Sequence, residues 1–356
     1  MKSFNEIIYD VTKFGRKIKT SDYMGNGKYP IIDQGKNLIS GYTNEENGIF
    51  VDVPAIIFGD HTRILKYIDT PFFLGADGTK ILKAKNENCN LKFIYYALKN
   101  IKIPDTGYNR HYKWLKESSI IYPAIEHQDK IVNILDRITS IITLKKQQLV
   151  FLEKLKHSLF VEMFGDKAHI LTMNDLCNII TDGTHQSPKF VSDGIPFLFV
   201  SNVSENKISY DTGKFISIDT YKELYKRTPI EKYDILLSTV GSYGHPAIVK
   251  SNKKFLFQRH IAYLKPKKEL INSIYLHAAI LSDEVQRQIE SKVKGIAQKT
   301  LNLSEIKTLK IPLPSMTEQN IFATIVEKID KHKSVVQKSL DETQILFDSL
   351  MQKYFG

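Results

Sequence analysis

Cysteine is nearly absent from this chain: there are two in 356 residues, Cys89 and Cys177, one in each half and with no CxxC spacing. Two such thiols argue against a disulfide framework and a paired-cysteine zinc site, and they suit a reducing cytoplasm. No apolar run reaches the length of a membrane span, so none is expected. The first residues, Met1-Lys-Ser-Phe-Asn-Glu6, lack the apolar core of a signal peptide. There is no GxxxxGK[ST] phosphate loop, so ATP hydrolysis by this chain is not expected. The Asn-Pro-Pro-aromatic tetrapeptide of amino-methyltransferases is missing, and the glycines form no dinucleotide fingerprint. Ten histidines are scattered without an HExxH or a paired metal spacing. These absences together argue for a protein that binds and does not catalyse.

What is present is an ordinary globular composition, with 42% hydrophobic and 25% charged residues, long enough for two domains with sizeable cores. The formal net charge is +11, and its distribution is informative. Residues 126–165 carry six basic and five acidic side chains, and residues 317–356 carry five and six. The excess lies elsewhere: residues 1–125 hold 18 basic and 13 acidic groups, and residues 166–316 hold 21 and 15. Such a charge can serve solubility alone, or it can mark a polyanion touched by both globular segments.

The two neutral stretches are copies of one another at an offset of 191 residues. Pro123-Ala-Ile-Glu-His-Gln128 answers Pro314-Ser-Met-Thr-Glu-Gln319, Leu149 answers Leu340, and Phe164-Gly165 answers Phe355-Gly356. A duplication this long predicts a repeat of domain plus helix. Ile131, Leu135, Ile138, Ile142, Leu149, Leu152 and Leu159 follow 4-3 spacing, and Phe322, Val326, Ile329, Val336, Leu340, Phe347 and Leu350 occupy the matching places. Neither stretch contains proline or glycine before its terminal glycine, so each is predicted to be one uninterrupted helix of roughly 57 Å. Lys145, Lys156, Lys333 and Thr343 interrupt the apolar seam, which suits a two-helix pair with lysine stems lying along it. Short connections favour an antiparallel pair with a pseudo-two-fold axis; the alternative is that each helix packs on a separate partner.

The globular segments repeat weakly. Ile81-Leu-Lys-Ala-Lys85 answers Tyr263-Leu-Lys-Pro-Lys267, and Phe93–Leu98 answers Tyr275–Ile280, both at offset 182. The nine residues gained before the second helical copy fall near Ser282–Glu290. Runs such as Ala55–Phe58, Phe197–Val200 and Ile235–Leu237 read as strands, with turns at Asp77-Gly78, Asp182-Gly183 and Asp193-Gly194. Each segment therefore reads as a mixed α/β domain with polar loops.

Those loops hold the candidate contacts. In the first segment they are Asp60, His61, Thr62 and Arg63 after an apolar strand, Lys80, and Asn109, Arg110, His111 and Lys113 within Tyr108-Asn-Arg-His-Tyr-Lys-Trp114. In the second they are Thr184, His185, Gln186, Lys189, Ser242, Tyr243, His245, Gln258, Arg259, Gln298 and Lys299. Cations interleaved with aromatics and amides can take phosphates and base edges. Each loop taken alone can also be structural, with Trp114 turned inward, and an Asp60–His61 catalytic pair lacks a nucleophile or metal set beside it.

The order domain, PxxxxQ helix, domain, PxxxxQ helix resembles the specificity subunit of type I restriction–modification systems. In the second segment the similarity lies in Asp182-Gly-Thr-His185, Gly194-Ile-Pro-Phe-Leu198, Ser201-Asn202 and Leu301-Asn-Leu-Ser304, leading to Ile311-Pro-Leu-Pro-Ser-Met-Thr-Glu-Gln319. In the first it lies in Pro30-Ile-Ile-Asp-Gln-Gly35, Gly41-Tyr-Thr43, Phe58-Gly-Asp-His-Thr62 and Gly75-Ala-Asp-Gly78. The resemblance covers essentially the whole chain. It implies an α/β architecture of two mixed target-recognition domains, 1–122 and 166–313, separated by two long helices, 123–165 and 314–356, forming an antiparallel coiled coil. It further implies a non-catalytic, cytoplasmic subunit that binds no cofactor itself and reads a split, asymmetric site in double-stranded DNA. Two modification subunits using S-adenosylmethionine would dock on it, and two restriction subunits, where the system has them, would add ATP- and magnesium-dependent cleavage. The alternatives are a coiled-coil scaffold that binds proteins only, or the specificity domains of another class of methyltransferase.

Overall fold

The computed structural model describes residues 1–75, 77–165, 169–204, 206–295 and 299–356. By compactness the chain divides into residues 1–146 with 338–356, and residues 147–337. The former is the first unit and the latter the second.

In the first unit a four-stranded antiparallel sheet has the order Ile8–Asp10, Thr79–Ala84, Ala55–Gly59, Leu65–Ile68. Every residue of Ala55–Gly59 is buried, as expected of a central apolar run. In a second sheet the central strand Tyr29–Ile32 pairs antiparallel with Gly41–Thr43 and in parallel with Phe73–Leu74. The helix Leu91–Lys99 is capped by Asn90, whose side chain accepts from the amides of Lys92 and Phe93.

The second unit repeats this plan. Its main sheet has the order Cys177–Asp182, Ile261–Pro266, Ile235–Ser238, Pro246–Ile248, again antiparallel. Its second sheet includes Ile195–Leu198 paired in parallel with Leu256–Phe257. Asn272 caps the helix Ser273–Leu281 as Asn90 caps its counterpart. The insertion expected near Ser282–Glu290 is a helix of its own, Asp283–Lys292. Of the predicted turns, Gly78 has a left-handed φ of 84°, while Gly183 is not a turn glycine. Its backbone runs so close to Phe257 that a Cβ would collide with the Phe257 carbonyl oxygen, so a side chain is excluded there by packing.

The duplicated stretches are helices of 40 residues each, Ile125–Phe164 and Met316–Phe355. Ser315 and Glu318 cap the second reciprocally, with both the Ser315 amide and hydroxyl donating to the Glu318 carboxylate. Within each unit the two helices pair antiparallel. In the first unit the Lys145 ammonium donates to the Ser339 carbonyl and hydroxyl and to the Thr343 hydroxyl, at 2.7–2.9 Å. Phe355 meets Phe93 at 5.2 Å. In the second, Lys156 pairs with Asp330 at 3.0 Å, and Phe160 lies 5.8 Å from Phe322. The seam lysines are therefore partnered; Lys145 and Thr343, two of the four polar interruptions, meet one another, and Lys333 pairs with Glu153.

The repeated PxxxxQ motif is a clasp. Gln128 is 1% exposed; its Oε1 accepts from the Asn90 amide at 3.0 Å and its Nε2 donates to the Pro123 carbonyl at 2.8 Å. Gln319, fully buried, does the same with Asn272 at 2.8 Å and Pro314 at 3.0 Å. Each glutamine ties the start of a long helix to the cap of its unit's small helix.

Candidate nucleic-acid interface

One backbone junction recurs in both units and positions the loops. After strand Ala55–Gly59, the amide of Asp60 donates to the Gly78 carbonyl at 2.7 Å, and the Asp60 carbonyl accepts from the His111 amide at 2.8 Å. After strand Ile235–Ser238, the amide of Thr239 donates to the His260 carbonyl at 3.1 Å, and its carbonyl accepts from the Leu301 amide at 2.8 Å. Three loops thus converge at the same end of the main sheet in each unit, and they carry unlike side chains.

In the first unit this end is filled. Asp60 is 4% exposed and spends its carboxylate on the Tyr112 amide at 2.7 Å, while His111, fully buried, bonds the Asp60 carbonyl and the Thr106 hydroxyl. Asp60 and His111 therefore brace the loops from within. His61 lies above them: its amide donates to Gln34 Oε1, and its Nδ1 is 3.2 Å from the Asn109 carbonyl. Its ring stacks on that of Tyr108 at 4.5 Å. Thr62 donates its hydroxyl to the Gln34 carbonyl, and Gln34 Nε2 reaches the Asp77 carbonyl. Arg63, in a left-handed conformation with φ 62°, pairs with Asp105 at 2.7 Å, which holds that carboxyl below its usual range. Lys17 does the same for Asp77 at 2.5 Å. Lys80 pairs with Asp10 at 3.0 Å, Lys113 lies 4.1 Å over the Trp114 ring, and Asn109 and Arg110 are exposed. Trp114 is half-buried, 5.4 Å from His111.

In the second unit the corresponding end is open. A cleft of about 500 Å³ is lined by Asp182, Thr239, Val240, Arg259, His260 and residues 300–304. Asp182 accepts from Arg227 at 2.5 Å and lies 2.8 Å from His185 Nε2. Thr184 bridges to Gln258 and donates its amide to the Phe257 carbonyl at 3.0 Å, and Arg259 donates back to Thr184. Gln186, Lys189, Ser242, His245 and Lys299 are exposed, while Tyr243 packs partly against the core. Gln298 lies outside the described residues.

The convergence adds residues that loop composition alone did not single out: Gln34 in the first unit and Arg227 in the second. Only contacts across distant chain segments mark them. Among the described residues, no three His, Cys, Asp or Glu side chains gather as a metal would require, and no helix is long and apolar enough to cross a membrane.

Comparison with known proteins agrees with this architecture. The chain adopts the fold of a type I restriction–modification S subunit from M. genitalium, with a TM-score of 0.65 at 18% identity, covering 100% of this chain and 95% of the other. The family model described as type I restriction modification DNA specificity domain matches residues 6–154 and 167–342, and the chain belongs to that family. It is 22% identical over 355 residues to the Escherichia coli type I restriction enzyme EcoR124I/EcoR124II specificity subunit, covering 93% of this chain and 87% of that protein. It is 28% identical to the EcoBI specificity subunit of the same organism, a match spanning 51% of this chain and 38% of that relative. The family resemblance carried by the duplicated plan is thus borne out.

Proposed function

We propose that this chain is a non-catalytic DNA-specificity subunit in which each unit reads one half of a bipartite, asymmetric target. The observation that carries this reading is the recurring junction at Asp60 and Thr239: one backbone arrangement presents a filled, aromatic loop end in the first unit and an open, polar one in the second. Equivalent scaffolds with unlike side chains suit unlike half-sites. The excess of basic over acidic residues in both globular segments supports a polyanionic ligand.

Partner docking belongs to the same proposal. The long helices leave Ile141, Leu144 and Ile345 exposed in the first unit, and Phe151, Leu155 and Val335 in the second. Paired helices with a second apolar surface suit two modification subunits and, where the system has them, two restriction subunits. S-adenosylmethionine, ATP and magnesium would be bound by those partners in the cytoplasm, and this chain would bind none of them.

Methylome sequencing of cells carrying loop variants tests the assignment. Changes at Asn109 or Arg110 should alter recognition of one half-site, and changes at His185 or Gln258 the other. Equal loss at both half-sites, with folding intact, would count against it.

A further inference from the structure

Tyr108 is 86% exposed, yet its ring is stacked on a neighbour. Its ring lies 4.5 Å from the His61 ring with 6° between the planes, so one face is covered and the other open. The supporting loop is braced locally. Gly107, with φ 74°, donates its amide to Asp105 at 3.1 Å. The Asn109 amide donates to the Gly107 carbonyl at 2.8 Å, and its side chain donates to the Thr106 carbonyl. His61 is held in turn by Gln34 and by the Asn109 carbonyl. An aromatic ring ordered on one face and bare on the other adds little to its own core. It is a platform for a second planar ring.

We propose that the open face of Tyr108 stacks on a base in the half-site read by the first unit, with His61 as the positioning residue behind it. The inference rests on the DNA-reading function and names a contact within it. Arg110, exposed two residues on, supplies a cation for the neighbouring phosphate. A base presents its face only where its stack is opened, so this contact distorts one step of the duplex.

The test uses the chain assembled with its modification subunits and a duplex bearing the methylome-defined target, with 2-aminopurine placed at each position in turn. The wild-type complex should change the fluorescence at one step of a single half-site. Tyr108→Ala should abolish that change and weaken binding by about 5- to 150-fold. Tyr108→Phe should preserve both, and signals in the other half-site should be unaffected by either substitution. Sequence-dependent binding with a signal that survives in Tyr108→Ala would overturn the stack alone, as would a Tyr108→Phe variant as impaired as Tyr108→Ala. A wild-type complex without sequence-dependent binding would overturn the DNA-reading function, and the stack with it.

Discussion

The buried side chains of Gln128 and Gln319 satisfy two and three backbone groups respectively. Truncating either leaves an amide and at least one carbonyl without partners, so Gln128→Ala and Gln319→Ala should each cost about 1–3 kcal/mol. Thermal unfolding measures this, and a variant as stable as wild type would show that the clasp is dispensable. His277 offers a second test. Burial, with Lys156 and Lys250 nearby and only partly offset by Asp330, pushes its imidazole down to about 4. A depressed folded-state value means that the unfolded chain takes up the proton first. The contribution is therefore complete above pH 6.5 and is lost as pH falls toward 4. His277→Gln should flatten stability against pH across that window by ~3 kcal/mol at most; an unchanged slope would assign acid sensitivity to other groups. The residue scale is also where sequence reading was weakest. Asp60 and His111 are polar residues in a loop, and composition treats them like Asn109 and Arg110. Burial separates them, turning the first pair into braces and leaving the second exposed.

For the elements, periodicity was a good guide. The 4-3 pattern and the lack of interior proline and glycine anticipated two long helices, which run Ile125–Phe164 and Met316–Phe355. Short connections also favoured their antiparallel pairing, although an apolar stripe alone does not state which residues meet across the seam. Side-chain contacts within each unit decide it, through Lys145 with Thr343 and Lys156 with Asp330. If the paired helices set the gap between half-sites, removing one heptad from both should shorten the tolerated gap. Seven residues rise about 10 Å, close to three base pairs, with little change of helical phase. Methylome sequencing reads the gap directly, and an unchanged gap would sink the spacer role. A heptad removed from one helix only should instead separate these polar pairs and lower the melting temperature.

For the whole molecule, charge is the guide. The excess of +11 lies outside the helical copies, so DNA binding by the assembled complex should fall steeply with salt, linear in log–log form. Neutralising Arg110 or Lys299 should reduce that slope by about one where the side chain meets a phosphate. A slope near zero would favour a scaffold that binds proteins only. Duplication was legible because the helices keep a gapless register of matching positions at offset 191. In the globular segments only fragments survive, since strands tolerate apolar exchange while loops diverge.

The sequence by itself determined the repeat, the helices, the location of the charge and the family, because each is a linear pattern along the chain. The tertiary structure decided the rest. It made the PxxxxQ motif a clasp, gave one loop end a Tyr108–His61 stack and the other a cleft, and brought Gln34 and Arg227 to those loops. Each of these depends on segments tens of residues apart meeting in space, and no local pattern records where a strand's partner will lie.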